Sequence, residues 1–255
     1  ALASVGGSSA QIVSLVVGFF TGLSSGAAVV ISQFVGARKE ETANAGLHTA
    51  YAIAAAGGIA LTLIGILTAP FLLRLMNTPA DTMDGSLTYL QIYFAGILFV
   101  LIYNMGSAVL RAAGDSKTPL YILIICCVIN ILLDMAFVLL FHMGVAGVAV
   151  ATLIAQAVSA VLVTRRLMRS GQILHLSLKK IRFHGSLLKL QLKLGLPAGF
   201  ESILFAITNI AIQSAINTFG TDTTAAWSAY GKLDAVFWMV STAFGISITT
   251  FVGQN

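Results

Sequence analysis

Asn130 and Asp134 are an amide and a carboxylate set four residues apart inside the apolar run from Tyr121 to Phe141. That spacing puts both on one helix face. A carboxylate at membrane depth is expensive to keep, so the pair is a candidate proton or cation site by default. The competing reading is a structural pin, in which both groups hold neighbouring helices together through buried hydrogen bonds. Further along, Lys232 and Asp234 fall about a third of the way into another apolar run. Their spacing of two points them to different sides, so they read either as a second coupling site or as an ion pair with another helix. Glu201 follows Pro197 by one turn and reads chiefly as a helix-start carboxylate favoured by the helix dipole, with a coupling role as the alternative. Met105, Met135, Met143, Met239, Phe137, Phe141, Phe237 and Trp238 are adaptable apolar side chains that suit a cavity for varied apolar ligands, although packing or lipid contact explains each singly.

The elements that must carry these groups are membrane helices. Of 255 residues, 58% are hydrophobic and 9% charged, and the mean hydropathy is +0.94. A soluble fold of this size could not cover such a surface. Seven runs long enough to cross a hydrocarbon core about 30 Å thick are expected near 8–35, 44–73, 86–110, 119–141, 144–166, 196–218 and 225–252. A transmembrane barrel would need alternating strands of about ten residues, which these continuous runs are not. The expected fold is therefore all-α, a polytopic helical membrane protein. Small residues cluster in Gly22-Leu-Ser-Ser-Gly26-Ala-Ala and in Gly144-Val-Ala-Gly147-Val-Ala-Val-Ala151, where helix backbones are expected to approach closely.

Lysine and arginine give the orientation. Arg38 and Lys39 follow the first run, Arg111 and Lys117 flank the connection after the third, and Arg165, Arg166, Arg169, Lys179, Lys180, Arg182, Lys189 and Lys193 follow the fifth. These connections share one side, which the positive-inside rule makes cytoplasmic. The same bias accounts for the net charge of +5 without any nucleic-acid partner. The basic segment from Thr164 to Gly195 reads mainly as a tether, with contact to anionic headgroups as its alternative. Cys126 and Cys127, adjacent in one run, read as small packing residues rather than a disulfide framework or metal site.

Phe34-Val35-Gly36 ends the first run and Phe251-Val252-Gly253 ends the seventh, while Ala1-Leu-Ala-Ser-Val-Gly6 is similar to Ala226-Trp-Ser-Ala-Tyr-Gly231. A duplicated architecture would make the first and seventh spans equivalent members of two halves. On that reading the partner of the sixth span precedes Ala1. The start at Ala1 without methionine and the stop at Asn255 on a span end carry the same expectation of a piece of a longer protein.

Five stretches carry a family resemblance. Ser25-Gly-Ala-Ala-Val-Val-Ile-Ser-Gln-Phe-Val-Gly-Ala37, Arg111-Ala-Ala-Gly-Asp-Ser-Lys-Thr-Pro119, Asn130-Ile-Leu-Leu-Asp134, Gly144-Val-Ala-Gly-Val-Ala-Val-Ala-Thr152 and Phe244-Gly-Ile-Ser-Ile-Thr-Thr-Phe-Val-Gly-Gln-Asn255 resemble the multidrug and toxic compound extrusion (MATE) transporters. The likeness is greatest to the prokaryotic DNA-damage-inducible type branch. It implies two six-helix lobes around a central cavity, with this chain holding the second to eighth of about twelve helices. Residues 1–167 would form the N-terminal lobe lacking its first helix, 168–193 a basic cytoplasmic linker, and 194–255 the start of the C-terminal lobe.

The resemblance further implies export of amphipathic or cationic small molecules against re-entering protons or sodium ions, with no cofactor beyond that coupling ion. The expected setting is the cytoplasmic membrane of a bacterium or archaeon, with membrane lipids as surroundings and a monomer at full length. Matched by position, the family's N-lobe polar cluster becomes Asn104, Asn130, Asp134 and Thr152. Asp134 lies seven residues before Phe141 and Thr152 eight after Gly144, so both fall about 10 Å below the same surface. Asn104 lies nearer the cytoplasmic end of its span and fits least well. A flippase for lipid-linked oligosaccharides of the same broader superfamily is the alternative function, and would be expected to line its cavity with several cations. Enzymatic activity is not expected, because no His, Ser or Cys constellation and no metal-ligand spacing is present.

Overall fold

The computed structural model describes residues 8–76, 78–169, 174–217 and 221–255. Among them are seven long helices: α1 (Ser8–Gly36), α2 (Glu40–Leu75), α3 (Ala80–Ala112), α4 (Lys117–Met135), α5 (Gly144–Arg169), α6 (Gly185–Asn217) and α7 (Thr221–Gln254). Each contains a stretch long and apolar enough to cross a membrane. The all-helical expectation and the order of spans hold.

Helix ends follow local chemistry. Glu40 and Glu41 stand in the first turn of α2 and Arg74 in its last, each complementing the helix dipole. α1 and α3 end in the same way. At Arg38 (φ 55°) the chain turns left-handed, with Lys39 N–H donating to Phe34 O at 2.9 Å and Arg38 N–H to Val35 O at 3.0 Å. At Gly114 (φ 90°) the matching bonds run from Asp115 N–H to Leu110 O and from Gly114 N–H to Arg111 O, both 2.9 Å. These are Schellman caps, for which glycine is the favoured residue and arginine a strained one.

α3 is the centre of the bundle, flanked by α1, α2 and α5. Its residues Leu90, Phe94, Ile97, Leu101 and Met105, recurring every three or four positions, are fully buried. α2 runs antiparallel to it, with Gly58 against Leu98 and Gly65 against the Phe94 ring. Thr62 closes the pair by donating to Phe94 O at 3.1 Å. α5 packs on the other side, where Gly106 meets Val163. α4 leans mainly on α5 and leaves a broad face of Leu120, Leu123, Ile124, Ile131 and Leu132 exposed, as a lipid-facing helix should.

The longest pairing is between α1 and α6. Gly18, Gly22 and Gly26 form a stripe at intervals of four, facing Ser202, Ala198–Gly199 and Gly195 respectively. Two Gly-x-x-x-Gly segments, Gly22–Gly26 and Gly195–Gly199, thus cross backbone to backbone. The expected packing role of the first cluster is met, and its partner is α6. The ends of α1 and α7 also meet, with Gly36 against Gln254 and Gly253 against Ser32. Gln254 Nε2 donates to Ala112 O at 2.7 Å, which ties α7 to the end of α3. The two Phe-Val-Gly strings therefore stand side by side at one end of the bundle.

The structure corrects one boundary. The sixth span was expected from 196, with Pro197 near its start, whereas α6 begins at Gly185 and passes through Pro197. The extra turns are amphipathic: Leu187 and Gln191 are buried while Lys189 and Lys193 face outward. Gln191 Nε2 donates to Gly46 O of α2 at 2.9 Å. That packing outweighs the one backbone bond that proline removes. The expected linker end at 193 consequently falls inside a continuous helix.

The described part of the basic segment, 174–184, is also not a free tether. Leu174 and Leu176 are buried, and Leu176 N–H donates to Leu167 O at 3.0 Å. His175 N–H donates to Asn44 Oδ1 at 2.7 Å and Ser177 N–H to His48 Nε2 at 3.0 Å. His48 Nδ1 in turn contacts Asn44 O at 2.6 Å, so the ring is held with its proton on Nδ1 and its Nε2 lone pair engaged. His184 repeats the arrangement, with Nδ1 against Thr49 Oγ1 at 3.0 Å and Nε2 accepting from Arg182 Nε at 3.1 Å. A row of polar residues on the first turns of α2 thus latches the segment in place.

Candidate functional site

Asp134 and Asn130 lie on the last turns of α4, on the side turned toward α5 and α3, and both are half-buried. Asp134 Oδ1 and Asn130 Nδ2 are buried from solvent with no hydrogen-bond partner. An acceptor and a donor left unmatched on one helix face in an apolar setting are costly, and such groups call for an explanation in function or in a bound ion. Directly after Met135 the helix widens into a π turn, Ala136–Leu140. Such widenings recur at functional sites. It lets α4 close on α5, where Gly147 sits against Phe137 and Met143.

Thr152 donates to Val148 O of its own helix at 2.9 Å and Asn104 Nδ2 to Val100 O at 3.0 Å. Each satisfies its polarity locally. Thr152 remains at the depth of Asp134, whereas Asn104 does not. Its neighbour Tyr103 donates to Pro119 O at the start of α4, so Asn104 stands level with residue 119. Fifteen residues separate that level from Asp134, about 22 Å along the axis at 1.5 Å per residue. The structure does not bring Asn104 to the carboxylate.

α3 instead supplies Tyr89, whose hydroxyl lies within electrostatic range of Asp134. Tyr89 stacks with Tyr93, ring centroids 6.1 Å apart, and the Tyr93 hydroxyl lies against the Gln156 amide of α5. Gln156 Oε1 is itself buried without a partner. Sequence reasoning missed Tyr89, Tyr93 and Gln156. A signal existed, because Tyr89–Tyr93 and Thr152–Gln156 are both polar pairs at spacing four within apolar helices. Asp134, Asn130, Tyr89, Tyr93, Thr152 and Gln156 thus form a polar patch on three helices, able to exchange a proton or offer oxygens to a small cation.

The remaining sequence candidates stand apart. Glu201 is exposed on α6, and Asp234 on α7 accepts from Tyr230 Oη at 3.4 Å. The Lys232 side chain lies outside the described residues. At the basic end of the bundle, Asp115 accepts from Thr118 N–H at 3.0 Å, Thr118 Oγ1 at 2.7 Å and Arg166 Nη2 at 3.1 Å. Burial alone would raise its carboxyl, but the bonds from Thr118 and the Arg166 charge outweigh that and hold it below the usual carboxylate range.

The family model for MatE matches residues 1–136, more than half of the chain and including Asp134. The chain belongs to the MatE family. A Bacillus subtilis relative named "Probable multidrug resistance protein YpnP" is 33% identical over 249 residues, which cover 97% of this chain and 55% of that protein. The solved inward-facing form of a multidrug resistance MATE family transporter superposes with a TM-score of 0.79 at 22% identity, over 99% of this chain and 62% of that one. An outward-facing form superposes at 0.82 and 21% identity, over 99% and 55%. These likenesses show the fold. The chain spans about half the length of the curated MatE relatives it matches. As a MatE protein with seven helices among the described residues long and apolar enough to cross a membrane, it is a multi-pass protein of the bacterial cytoplasmic membrane.

Proposed function

We propose that the complete protein is a secondary antiporter that exports amphipathic, often cationic, compounds in exchange for protons or sodium ions, with Asp134 as the coupling carboxyl. The observation that carries this reading is the unpartnered Asp134 Oδ1 one helical turn from the unpartnered Asn130 Nδ2, at membrane depth. The relatives' names supply the multidrug class. Transport, rather than catalysis, suits a polar patch with a single carboxylate on packed helices.

Asp134 has two stable ways to resolve its unmatched oxygen. A proton makes the carboxyl a neutral donor that finds an acceptor among Asn130, Tyr89 or its own helix; a sodium ion is matched by carboxylate and amide oxygens instead. Either ligand leaves when the site faces the low-concentration side, and the vacated carboxylate is free to favour cationic cargo. Differential binding to two lobe arrangements is what lets a gradient drive the cycle. Thr152 and Gln156 shape the site from α5, and Asp234 and Glu201 are secondary candidates for a site in the later helices.

Asp134→Asn retains size and hydrogen-bonding capacity but cannot release a proton or balance a cation. In vesicles holding the complete protein, it should abolish efflux driven by an imposed proton or sodium gradient at near-normal protein abundance. Asn130→Ala should weaken efflux less, and Thr152→Ala least, since Thr152 bonds its own helix. Wild-type efflux by Asp134→Asn under both gradients would leave the pair as a helix pin and sink the coupling role.

A further inference from the structure

A cavity of about 610 Å³ opens at the basic end of the bundle, between the first turns of α2 and the segment 174–184. It is lined by His48, His175, His184, Lys179, Lys180 and Arg182, and Glu41 is the one carboxylate among its described lining residues. Its volume is that of a small-molecule site. The donors are arranged for a ligand from outside. Arg182 commits Nε to His184 Nε2, which orients the guanidinium, and its terminal amino groups have no partner among the described residues. Among the described residues no ion pair engages Lys179, Lys180 or Arg182. Three permanent charges face one carboxylate, with the walls fixed by the bonds from His175, Ser177 and His184 to α2.

The surroundings decide which anion fits. Leu178 and Phe183 bracket these cations in sequence and are 56% and 52% exposed. The segment connects two membrane-crossing helices, so it lies at the membrane surface. A soluble anion has no use for two large apolar side chains beside its site, whereas a lipid has a phosphate for the cations and acyl chains for Leu178 and Phe183. We infer that this cavity binds the phosphate headgroup of an anionic phospholipid, with Leu178 and Phe183 seated against its acyl chains. The assignment does not depend on the transport reading above.

The complete protein in nanodiscs of phosphatidylcholine with a minor fraction of phosphatidylglycerol provides the test, with retained lipid counted by native mass spectrometry. Lys179→Gln/Lys180→Gln removes two charge-assisted hydrogen bonds to the headgroup phosphate and should lower the preference for phosphatidylglycerol about 100-fold. Arg165→Gln/Arg169→Gln removes the same charge at the same end, outside the cavity, and should change it by less than about 3-fold. Leu178→Ser/Phe183→Ser keeps every cation and should also weaken retention. Equal loss in both charge variants would mean diffuse attraction rather than a site. Inorganic phosphate binding to the wild type in pure phosphatidylcholine discs, with no selection of phosphatidylglycerol, would make the cavity a soluble-anion site. Either result overturns the assignment.

Discussion

The α1–α6 seam makes a sharp demand on two of the three glycines in its stripe. A Cβ built on Gly22 would lie 2.5 Å from the Ala198 carbonyl carbon and the Gly199 nitrogen, and one on Gly26 would overlap the Gly195 backbone. At Gly18 the nearest atom is Ser202 Cβ at 3.5 Å, an ordinary contact. Carbon atoms pack at about 3.5–4.0 Å, so alanine at Gly22 falls short by about 1 Å. The obstacle at both tight positions is backbone, which cannot rotate away. The helices must separate along the seam, an overpacking cost of about 1–3 kcal/mol. Replacing a helix-interior glycine by alanine returns about 0.5–1 kcal/mol. Gly22→Ala and Gly26→Ala should therefore destabilise the complete protein by up to about 2.5 kcal/mol. Gly18→Ala should be neutral or up to about 1 kcal/mol more stable. Thermal and denaturant unfolding in mild detergent measures all three. If Gly22→Ala and Gly26→Ala proved as stable as Gly18→Ala, the close crossing would be wrong.

Asp115→Ala should cost about 1–2 kcal/mol in denaturant unfolding, because it removes the cap on Thr118 together with a half-exposed ion pair to Arg166. The folded-state acidity of Asp115 is strengthened, so its contribution is complete above the unfolded aspartate value of about 3.9 and is lost as pH falls through the lower folded value. Wild type and Asp115→Ala should converge in stability on acidification below that point, and a constant difference would refute the assignment. Arg38→Gly relieves a left-handed arginine at the α1 cap and should stabilise by about 1 kcal/mol, read in the same unfolding assay. His48→Leu leaves the Ser177 N–H without its acceptor, a loss of about 1–3 kcal/mol. Amide exchange across 174–184 should then speed up about 5- to 150-fold, and unchanged exchange would mean the latch is held elsewhere.

The helical class, the seven spans and their order were legible because lipid imposes long apolar runs that nothing else in the chain imitates. The Asn130–Asp134 pair was legible for the same reason, since charge inside such a run is conspicuous. What stayed hidden depends on partners far along the chain. The Gly22–Gly26 stripe announces a close approach without saying to what, and its complement at Gly195–Gly199 is disguised by Pro197, which reads as a helix start. The depths of Thr152 and Asn104 could be counted from the span ends, and Asn104 stands about 22 Å from Asp134 along the axis, but the tyrosines and Gln156 in the same region of the bundle were not singled out. The π turn after Met135 has no marker in the sequence, being a response of α4 to its contact with α5.

The basic segment shows why charge alone misleads about role. Lysine and arginine in its sequence speak for solvent and a loose connection, but the residues between them are buried leucines and hydrogen-bonded backbone, and their partners Asn44, His48 and Thr49 lie inside another helix. The amphipathic start of α6 continues that latch, through Leu187 and the Gln191 bond to Gly46 O, into the glycine seam from Gly195 to Ser202. α6 is thus bound to α1 and α2 without interruption from its first turns past Pro197. Any rearrangement that separates α6 from α1 must break a backbone-to-backbone seam at Gly22 and Gly26, whereas past Ser202 its exposed face, with Leu204 and Phe205, is free of that seam.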